Sequence, residues 1–275
     1  MNKLLPRILS ALGAVLILFG TVYLGKNALL TLCLLASIIC LYEFRKLIPF
    51  NQYFQGPSQT WFTVLFITSG LLVFICALYS SSQFVYWIAL VSVGLAAMML
   101  VLISKKGSLE GAIHVGGITL IGIIHSGLLP AFSALLLTMQ NGLYLFLCHL
   151  SLVFGGDILA YFVGSTFGKK KLAPALSPKK TVAGAVGGLA GSLVFGFTAY
   201  YFSIGINKIA IFSIACVITG IFAQFGDLFV SLFKRTAQVK DTGHIMPGHG
   251  GLLDRIDGVL FSSPVFIFIC QLVGF

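Results

Sequence analysis

The segment from Ser231 to Asp257 gathers charged side chains in a chain that has few of them elsewhere. It reads SLFKRTAQVKDTGHIMPGHGGLLDRID and holds four cations, three carboxylates and two histidines, although only 9% of the 275 residues are charged. Carboxylate oxygens are ligands for hard divalent cations such as Mg²⁺, and Lys and Arg bind and neutralise phosphates. Because electrostatics and positioning carry most of phosphoryl-transfer chemistry, this composition indicates phosphoryl or nucleotidyl transfer.

A helical spacing precedes the loop. Asp227, Ser231 and Lys234 are separated by four and three residues, so they share one face if the helix that contains Asp227 continues past them. Arg235 follows Lys234 directly, and Lys240 lies further along the chain. Side chains of Lys and Arg are suited to bind phosphate groups.

The loop itself is rich in glycine and ends in charged residues. Gly250 and Gly251 follow His249, and flexible backbone of this type can bring N–H groups close to an anion. Three charged residues, Asp254, Arg255 and Asp257, close the loop before the last apolar stretch, which we predict at 258–275. Asp241 and Asp257 either bind metal or brace the neighbouring Lys240 and Arg255.

Two further groups of polar residues lie upstream. Asp157 follows Gly155 and Gly156 within an apolar stretch, where an ionisable residue is a functional candidate; the alternative is a structural hydrogen bond to a neighbouring helix. Residues 177–181 read SPKKT, and lysines before a helix N-terminus favour anion binding. Here Pro178 predicts a turn, and Ser177 or Thr181 is the expected helix cap; the alternative is a positively charged loop that only sets topology.

The apolar composition of the chain predicts that membrane-spanning helices carry these polar residues. With 58% hydrophobic residues, the chain is predicted to be an all-α polytopic membrane protein, because stretches near twenty apolar residues span a bilayer as helices. About nine stretches qualify: 8–25, 28–44, 60–80, 83–104, 116–137, 142–163, 182–203, 207–230 and 258–275. The first two are the hardest to separate, because little polar sequence lies between them.

Cations indicate the orientation. With a cytoplasmic N-terminus and nine spans, 15 of the 17 Lys and Arg residues fall on the cytoplasmic side, as the positive-inside rule requires. Only Lys26 and Lys208 fall outside. The loops 166–181 and 231–257 are then both cytoplasmic.

The chain is predicted to divide near residue 140. Residues 1–140 form a transmembrane scaffold with a possible lipid cavity or subunit interface, and residues 141–275 form the catalytic region. The first part contains two acidic residues, Glu43 and Glu110, which we expect at the membrane interface beside basic residues. In the second part, Gly184, Gly187, Gly188 and Gly191 give two overlapping GxxxG spacings that predict close helix packing.

The pattern S-x-F-K-R-x₄-K-D-x-G-x₃-P-G-H-G-G-L-x-D-R-I-D, from Ser231 to Asp257, resembles the signature of the phosphatidate cytidylyltransferases. The upstream D-x-x-A-Y-x₂-G segment at Asp157, the SPKKT segment and the Gly226-Asp227 pair also resemble that family. Two departures are present. Met246 replaces the usual Leu, Ile or Phe, and Val182-Ala183 follows Thr181 where Trp-Glu is expected, which leaves any role of that carboxylate in doubt.

The resemblance implies a reaction and a set of roles. CTP and phosphatidic acid would give CDP-diacylglycerol and pyrophosphate, with Mg²⁺, and possibly a second cation, held by Asp227 and Asp254. The residues implied to be catalytic are Lys234, Arg235, Lys240, His249 and Arg255. Those implied to bind substrate are Ser177, Lys179, Lys180, Thr181, Ser231, Gly250 and Gly251. Further candidates for metal binding are Asp157, Asp241 and Asp257. His249 either donates a hydrogen bond to a phosphate group or organises the loop.

The expected partners are CTP, phosphatidic acid and membrane lipids, without nucleic acid, and the expected assembly is a homodimer. The expected location is the cell membrane, with the site on its cytoplasmic side. One alternative is a related CTP-dependent enzyme that uses another lipid acceptor. The other is a transporter for an anion or nucleotide, which would need polar groups across the whole membrane.

Overall fold

A computed structural model describes residues 4–53, 58–79, 94, 109–204 and 208–274 of the chain. Its elements, in chain order, are α1 (Leu4–Leu24), α2 (Lys26–Arg45), α3 (Phe50–Tyr53), α4 (Ser58–Tyr79), α5 (Leu109–Ile123), a π-helical turn (Ile124–Leu128), α6 (Leu129–Leu136), α7 (Gly142–Phe167), β1 (Lys171–Ala173), β2 (Ser177–Thr181), α8 (Val182–Ser203), α9 (Ile209–Thr236) and α10 (Leu253–Val273).

The described residues contain eight helical segments long and apolar enough to cross a membrane. Each coincides with one of the predicted stretches, and the all-α class is confirmed. The predicted span 83–104 and the neighbouring Lys105 and Lys106 lie outside the described residues. The first two spans are separate helices, since Gly25 breaks the chain between them with a φ of +91° that favours glycine.

Two prolines lie inside the spans without leaving backbone carbonyls unpaired. Proline has no N–H to donate to the carbonyl four residues earlier. For Pro130 that carbonyl belongs to Ser126, in the π-helical turn, and it accepts a 2.7 Å hydrogen bond from the Ser37 hydroxyl. For Pro264 it belongs to Leu260, and it accepts a 2.8 Å bond from the Ser263 hydroxyl.

The chain separates into two compact units. Unit 1 comprises Met1–Ala131 and Thr236–Asp254, and unit 2 comprises Phe132–Arg235 and Arg255–Phe275. The first unit thus includes residues 237–252, which connect α9 to α10 and which we call the glycine loop. The predicted functional division at residue 140 remains a prediction.

Unit 2 is built around closely packed glycines on α7 and α8. A β-carbon on Gly191 would lie 2.6 Å from the carbonyl oxygen of Gly155, and one on Gly184 would lie 2.9 Å from that of Ala160. Only hydrogen atoms fit between these backbones, so the packing predicted from the GxxxG spacings is confirmed. This packing brings the α7 segment that carries Asp157 against α8.

Candidate functional site

The Asp227 carboxylate lies in the last third of α9 and has a cationic partner. Lys180 Nζ is 2.7 Å from Asp227 Oδ2, and the two side chains are 26% and 41% exposed. The Ser231 hydroxyl lies 3.4 Å from Asp227 Oδ1. Because α9 continues to Thr236, Asp227, Ser231 and Lys234 do follow one another at helical spacing, as predicted.

Two further carboxylates interact electrostatically with Asp227. The charges of Asp227, Lys180 and Arg255 act on Asp157, and those of Asp227, Lys234 and Asp157 act on Asp257. Asp257 is almost fully buried, and its Oδ1 accepts a 2.8 Å hydrogen bond from the Gly258 amide. We call Asp157, Asp227 and Asp257 the carboxylate cluster; it lies wholly within unit 2.

Glycine explains how two of these carboxylates approach each other. A β-carbon on Gly226, next to Asp227, would lie 2.5 Å from the carbonyl oxygen of Asp257 and 2.7 Å from the Phe261 side chain. The absence of a side chain at Gly226 therefore lets α9 meet the first turns of α10. The Gly-Asp pair is thus a packing residue followed by a charged one.

The SPKKT segment differs from its prediction in one respect. Residues Ser177–Thr181 form strand β2, antiparallel to β1, and the turn lies before them at 174–176, so the turn predicted at Pro178 is wrong. A two-stranded ribbon leaves one edge of each strand unpaired, and proline is tolerated there. Thr181 is the helix cap, as expected: its hydroxyl oxygen accepts a 3.1 Å hydrogen bond from the Gly184 amide.

The β-hairpin carries two lysines on strand β2 and contacts Arg235 through the turn before that strand. Lys179 is exposed and Lys180 reaches Asp227. Arg235 donates from Nε to the carbonyl oxygen of Leu176 at 3.1 Å, which ties the end of α9 to the β-hairpin. Lysines from the hairpin and cations from α9 therefore belong to one charged region of unit 2.

The second group of predicted residues belongs to the glycine loop and the start of α10. One oxygen of Asp254, Oδ2, accepts hydrogen bonds from the Thr242 amide at 2.8 Å, the Thr242 hydroxyl at 3.0 Å and the Gly251 amide at 3.0 Å. Gly250 has a φ of +91°, and the chain folds back there so that its carbonyl oxygen accepts from the Met246 amide at 3.0 Å. The loop thus closes on Asp254.

His249 contacts α1. Its Nδ1 lies 2.7 Å from the Ser10 hydroxyl, which also lies 3.1 Å from the carbonyl oxygen of Pro247. Arg7 donates from Nε to the carbonyl oxygen of Gly248 at 3.0 Å. These are contacts that a loop organiser makes, one of the two roles predicted for His249.

The last helix begins earlier than predicted. It starts at Leu253 rather than near residue 258, so Asp254, Arg255 and Asp257 lie in its first turns and do not close a loop. Helix N-termini have unpaired amides and favour negative charge. Here the amides of Leu252 and Leu253 donate to the Glu43 carboxylate, at 3.1 and 2.8 Å.

Glu43 is a charged residue whose contacts the sequence did not predict. The prediction for it was a position at the membrane interface, beside basic residues such as Arg45. In the structure its side chain is fully buried and bonded to that loop. The available signal was a lone carboxylate within an apolar helix, which is costly without a specific partner.

The predicted residues therefore fall into two groups, each described within its own unit. Those of unit 2 are Asp157, Ser177, Lys179, Lys180, Thr181, Asp227, Ser231, Lys234, Arg235, Arg255 and Asp257. Those of unit 1 are Lys240, Asp241, His249, Gly250, Gly251 and Asp254. Lys240 and Asp241 are exposed.

Across the described ranges, no group of three or more His, Cys, Asp or Glu side chains has the geometry of a metal site. Carboxylate oxygens such as those of the carboxylate cluster are nonetheless the donors that Mg²⁺ takes. The positive charge next to Asp227 in the structure is the ammonium group of Lys180.

The fold defines a multi-pass α-helical membrane protein, and five of its seven Asp and Glu residues lie on α7, α9, α10 or the glycine loop. The model of the cytidylyltransferase family matches residues 5–273. The chain belongs to the cytidylyltransferase family.

Three relatives carry the same name. The phosphatidate cytidylyltransferase of Staphylococcus haemolyticus is 32% identical over 266 residues, which cover 94% of this chain and 96% of that protein. Those of Rickettsia felis and Haemophilus influenzae are 43% and 45% identical over 136 and 130 residues, 46% of this chain in both cases. In these two matches the chain spans 58% and 45% of the relative's length.

Proposed function

We propose that this protein transfers the cytidylyl group of CTP to phosphatidic acid, forming CDP-diacylglycerol and pyrophosphate. The observation that carries the proposal is the carboxylate cluster, in which Asp157, Asp227 and Asp257 interact with Lys180, Lys234 and Arg255 in otherwise apolar helices. Acidic groups for a metal and basic groups for phosphates are the components that nucleotidyl transfer requires. The name phosphatidate cytidylyltransferase, which the three relatives share, supports the same reaction.

The proposed reaction needs no protein nucleophile. An oxygen of the phosphatidate monoester attacks the α-phosphorus of CTP in line, and the bond from that phosphorus to the β-phosphate oxygen breaks, releasing pyrophosphate. The phosphate monoester is already anionic near neutral pH, so no general base is essential. The basic side chains of the hairpin and of α9 bind the anionic groups and hold them in position.

Carboxylate oxygens are the donors that Mg²⁺ prefers, and this chain offers several of them on α7, α9 and α10. We propose Asp227 as a ligand in unit 2 and Asp254 as a ligand at the start of α10, with Asp157, Asp241 and Asp257 as further candidates. A divalent cation would offset the negative charge that develops on the attacking and leaving oxygens. A second cation, monovalent or divalent, remains part of the proposal.

The site is proposed to face the cytoplasm, where CTP is found. The cation distribution supports this orientation, since the loops at 166–181 and 231–257 carry much of the positive charge. Phosphatidate would then enter from the adjacent lipid leaflet. The predicted homodimer is a separate proposal, which light scattering of the detergent-solubilised protein would test.

An assay across substrates tests the proposal. Purified protein in mixed micelles would be given each nucleoside triphosphate with phosphatidate, and then CTP with phosphatidate, polyprenyl phosphate or an ether-linked lipid phosphate. We expect CDP-diacylglycerol only with CTP or a close analogue and phosphatidate, in a Mg²⁺-dependent reaction. Product with another lipid phosphate alone would select the related enzyme, and no product with any pair would contradict the proposal.

Asp227→Asn gives the sharpest test of the carboxylate cluster. This change keeps the size of the side chain and removes its charge, so we expect kcat to fall at least about 100-fold, since loss of even an outer-shell partner costs 10- to 100-fold. Glu110→Gln is the matched control, because Glu110 is exposed at the start of α5. Near-normal rates for folded Asp227→Asn protein would refute the role of Asp227.

A further inference from the structure

The Glu43 carboxylate is a buried acid that is bonded to the glycine loop and to Leu253, the residue that follows it. Its Oε1 accepts from the Leu252 amide at 3.1 Å, and its Oε2 accepts from the Leu253 amide at 2.8 Å and lies 3.3 Å from the Thr242 hydroxyl. The partners are about 200 residues away along the chain. A buried carboxylate is costly unless hydrogen bonds compensate it, so Glu43 and these donors depend on each other.

Thr242 connects Glu43 to Asp254. Its amide and hydroxyl are within hydrogen-bonding distance of Asp254 Oδ2, and the same hydroxyl is near Glu43 Oε2. A hydroxyl has one proton, so it donates fully to one of the two carboxylates at a time. Asp254 is therefore held by a segment of the glycine loop that is bonded to Glu43 both at Thr242 and at Leu252.

Glycines make room for this arrangement. A β-carbon on Gly243 would collide with Glu43 Oε1, and one on Gly251 would lie 2.5 Å from Glu43 Oε2. Both glycines are fixed positions of the pattern from Ser231 to Asp257. Close approach of the loop backbone to a buried carboxylate is a physical reason for their lack of side chains.

We propose that Glu43 is a positioning residue that holds the glycine loop against the end of α2 and so fixes the orientation of Asp254. The proposal deepens the proposed function, on which its catalytic consequence rests, but its structural part stands on unit 1 alone. Glu43 touches no reacting atom in this account. It acts through the backbone of Leu252 and Leu253 and through Thr242.

Hydrogen exchange measured by mass spectrometry on the full-length protein in detergent tests the structural part. We expect Glu43→Gln, which exchanges one accepting oxygen for a donor, to lose protection at the amides of residues 242–254. Ser37→Ala is the matched control: Ser37 is also fully buried on α2, but it bonds the Ser126 carbonyl and not the loop. We expect that control to leave the loop protected.

Kinetics separate positioning from mere stability. In Glu43→Gln we expect kcat to fall about 10- to 100-fold, with the KM for phosphatidate little changed. Thr242→Ser, which keeps the hydroxyl, should retain most of the activity, and Thr242→Val should lose it in the same way as Glu43→Gln. A merely structural role would lower the amount of folded protein without this difference between Ser and Val.

The two proposals fail in different ways. Unchanged protection at 242–254 in Glu43→Gln overturns the positioning proposal, whatever the enzyme does. Equal loss of protection throughout unit 1, in both Glu43→Gln and Glu43→Asp, would also overturn it, because Glu43 would then be a general packing residue. If the wild-type protein makes no CDP-lipid while the loop responds as expected, the proposed function fails and the anchoring stands.

Discussion

Lys180 and Asp227 form an ion pair, although the family resemblance implies substrate binding for the lysine and metal binding for the aspartate. Both side chains are partly exposed, so the pair contributes about 0–1 kcal/mol to folding. A lysine kept beside a carboxylate for so little stability is better explained by substrate binding. We therefore propose that Lys180 binds the phosphate groups of CTP and that Asp227 binds the metal.

Lys180→Gln tests this assignment. A hydrogen bond to a charged group contributes about 1.5–3 kcal/mol, so we expect the KM for CTP to rise about 10- to 100-fold. Lys169→Gln is the control, because Lys169 is exposed just before the same hairpin. An unchanged KM for CTP in Lys180→Gln would leave the lysine with a topological role only.

The close packing of α7 against α8 in unit 2 can be tested by a single substitution. On Gly191, an added methyl group would meet the Gly155 carbonyl at 2.6 Å and the Leu159 β-carbon at 2.9 Å. We expect Gly191→Ala to lower the free energy of unfolding by about 1–3 kcal/mol, the usual cost of overpacking. Thermal unfolding in detergent, followed by circular dichroism, should show a Tm lower by several degrees.

The control for this prediction is Gly117→Ala on α5. Nothing lies within 4 Å of a β-carbon there, and alanine favours a helix over glycine. We expect its Tm to be equal or higher. A Tm for Gly191→Ala that matches this control would show that the close approach of α7 and α8 is not required.

Spans and local motifs could be predicted from sequence because each depends on residues near in the chain. Apolar length predicted the eight described spans, and glycine spacing predicted the α7–α8 contact. The start of α10 at Leu253 could not be predicted, because its cap is Glu43 on α2. Likewise, Pro178 lies in a strand because β1 pairs with Ser177 and Thr181 on either side of it, which no local rule for proline indicates.

At the scale of the whole molecule, the glycine loop groups with the N-terminal part of the chain. Arg7 and Ser10 on α1 and Glu43 on α2 all bond it. The first 131 residues thus contribute to a predicted site whose motifs lie after residue 155. Sequence reasoning assigned only a scaffold, a lipid cavity or a subunit interface to this part, because its contacts to the loop span about 200 residues.

Orientation in the membrane can be tested with introduced thiols. The six native cysteines are buried, so a cysteine at an exposed site should dominate labelling by a membrane-impermeant maleimide. We expect Lys26→Cys to react in intact cells and Ala175→Cys to react only after the membrane is permeabilised. The reverse pattern would place the proposed site on the side of the membrane that lacks CTP.

Transfer of labelled phosphorus tests the central claim most directly. Purified protein would be incubated with phosphatidate, Mg²⁺ and CTP labelled at either the α- or the γ-phosphorus. The account predicts that α-label appears in the lipid product and γ-label in pyrophosphate, in equal molar amounts, and that Asp227→Asn abolishes both. γ-Label in the lipid, or no labelled lipid from either substrate, would contradict it.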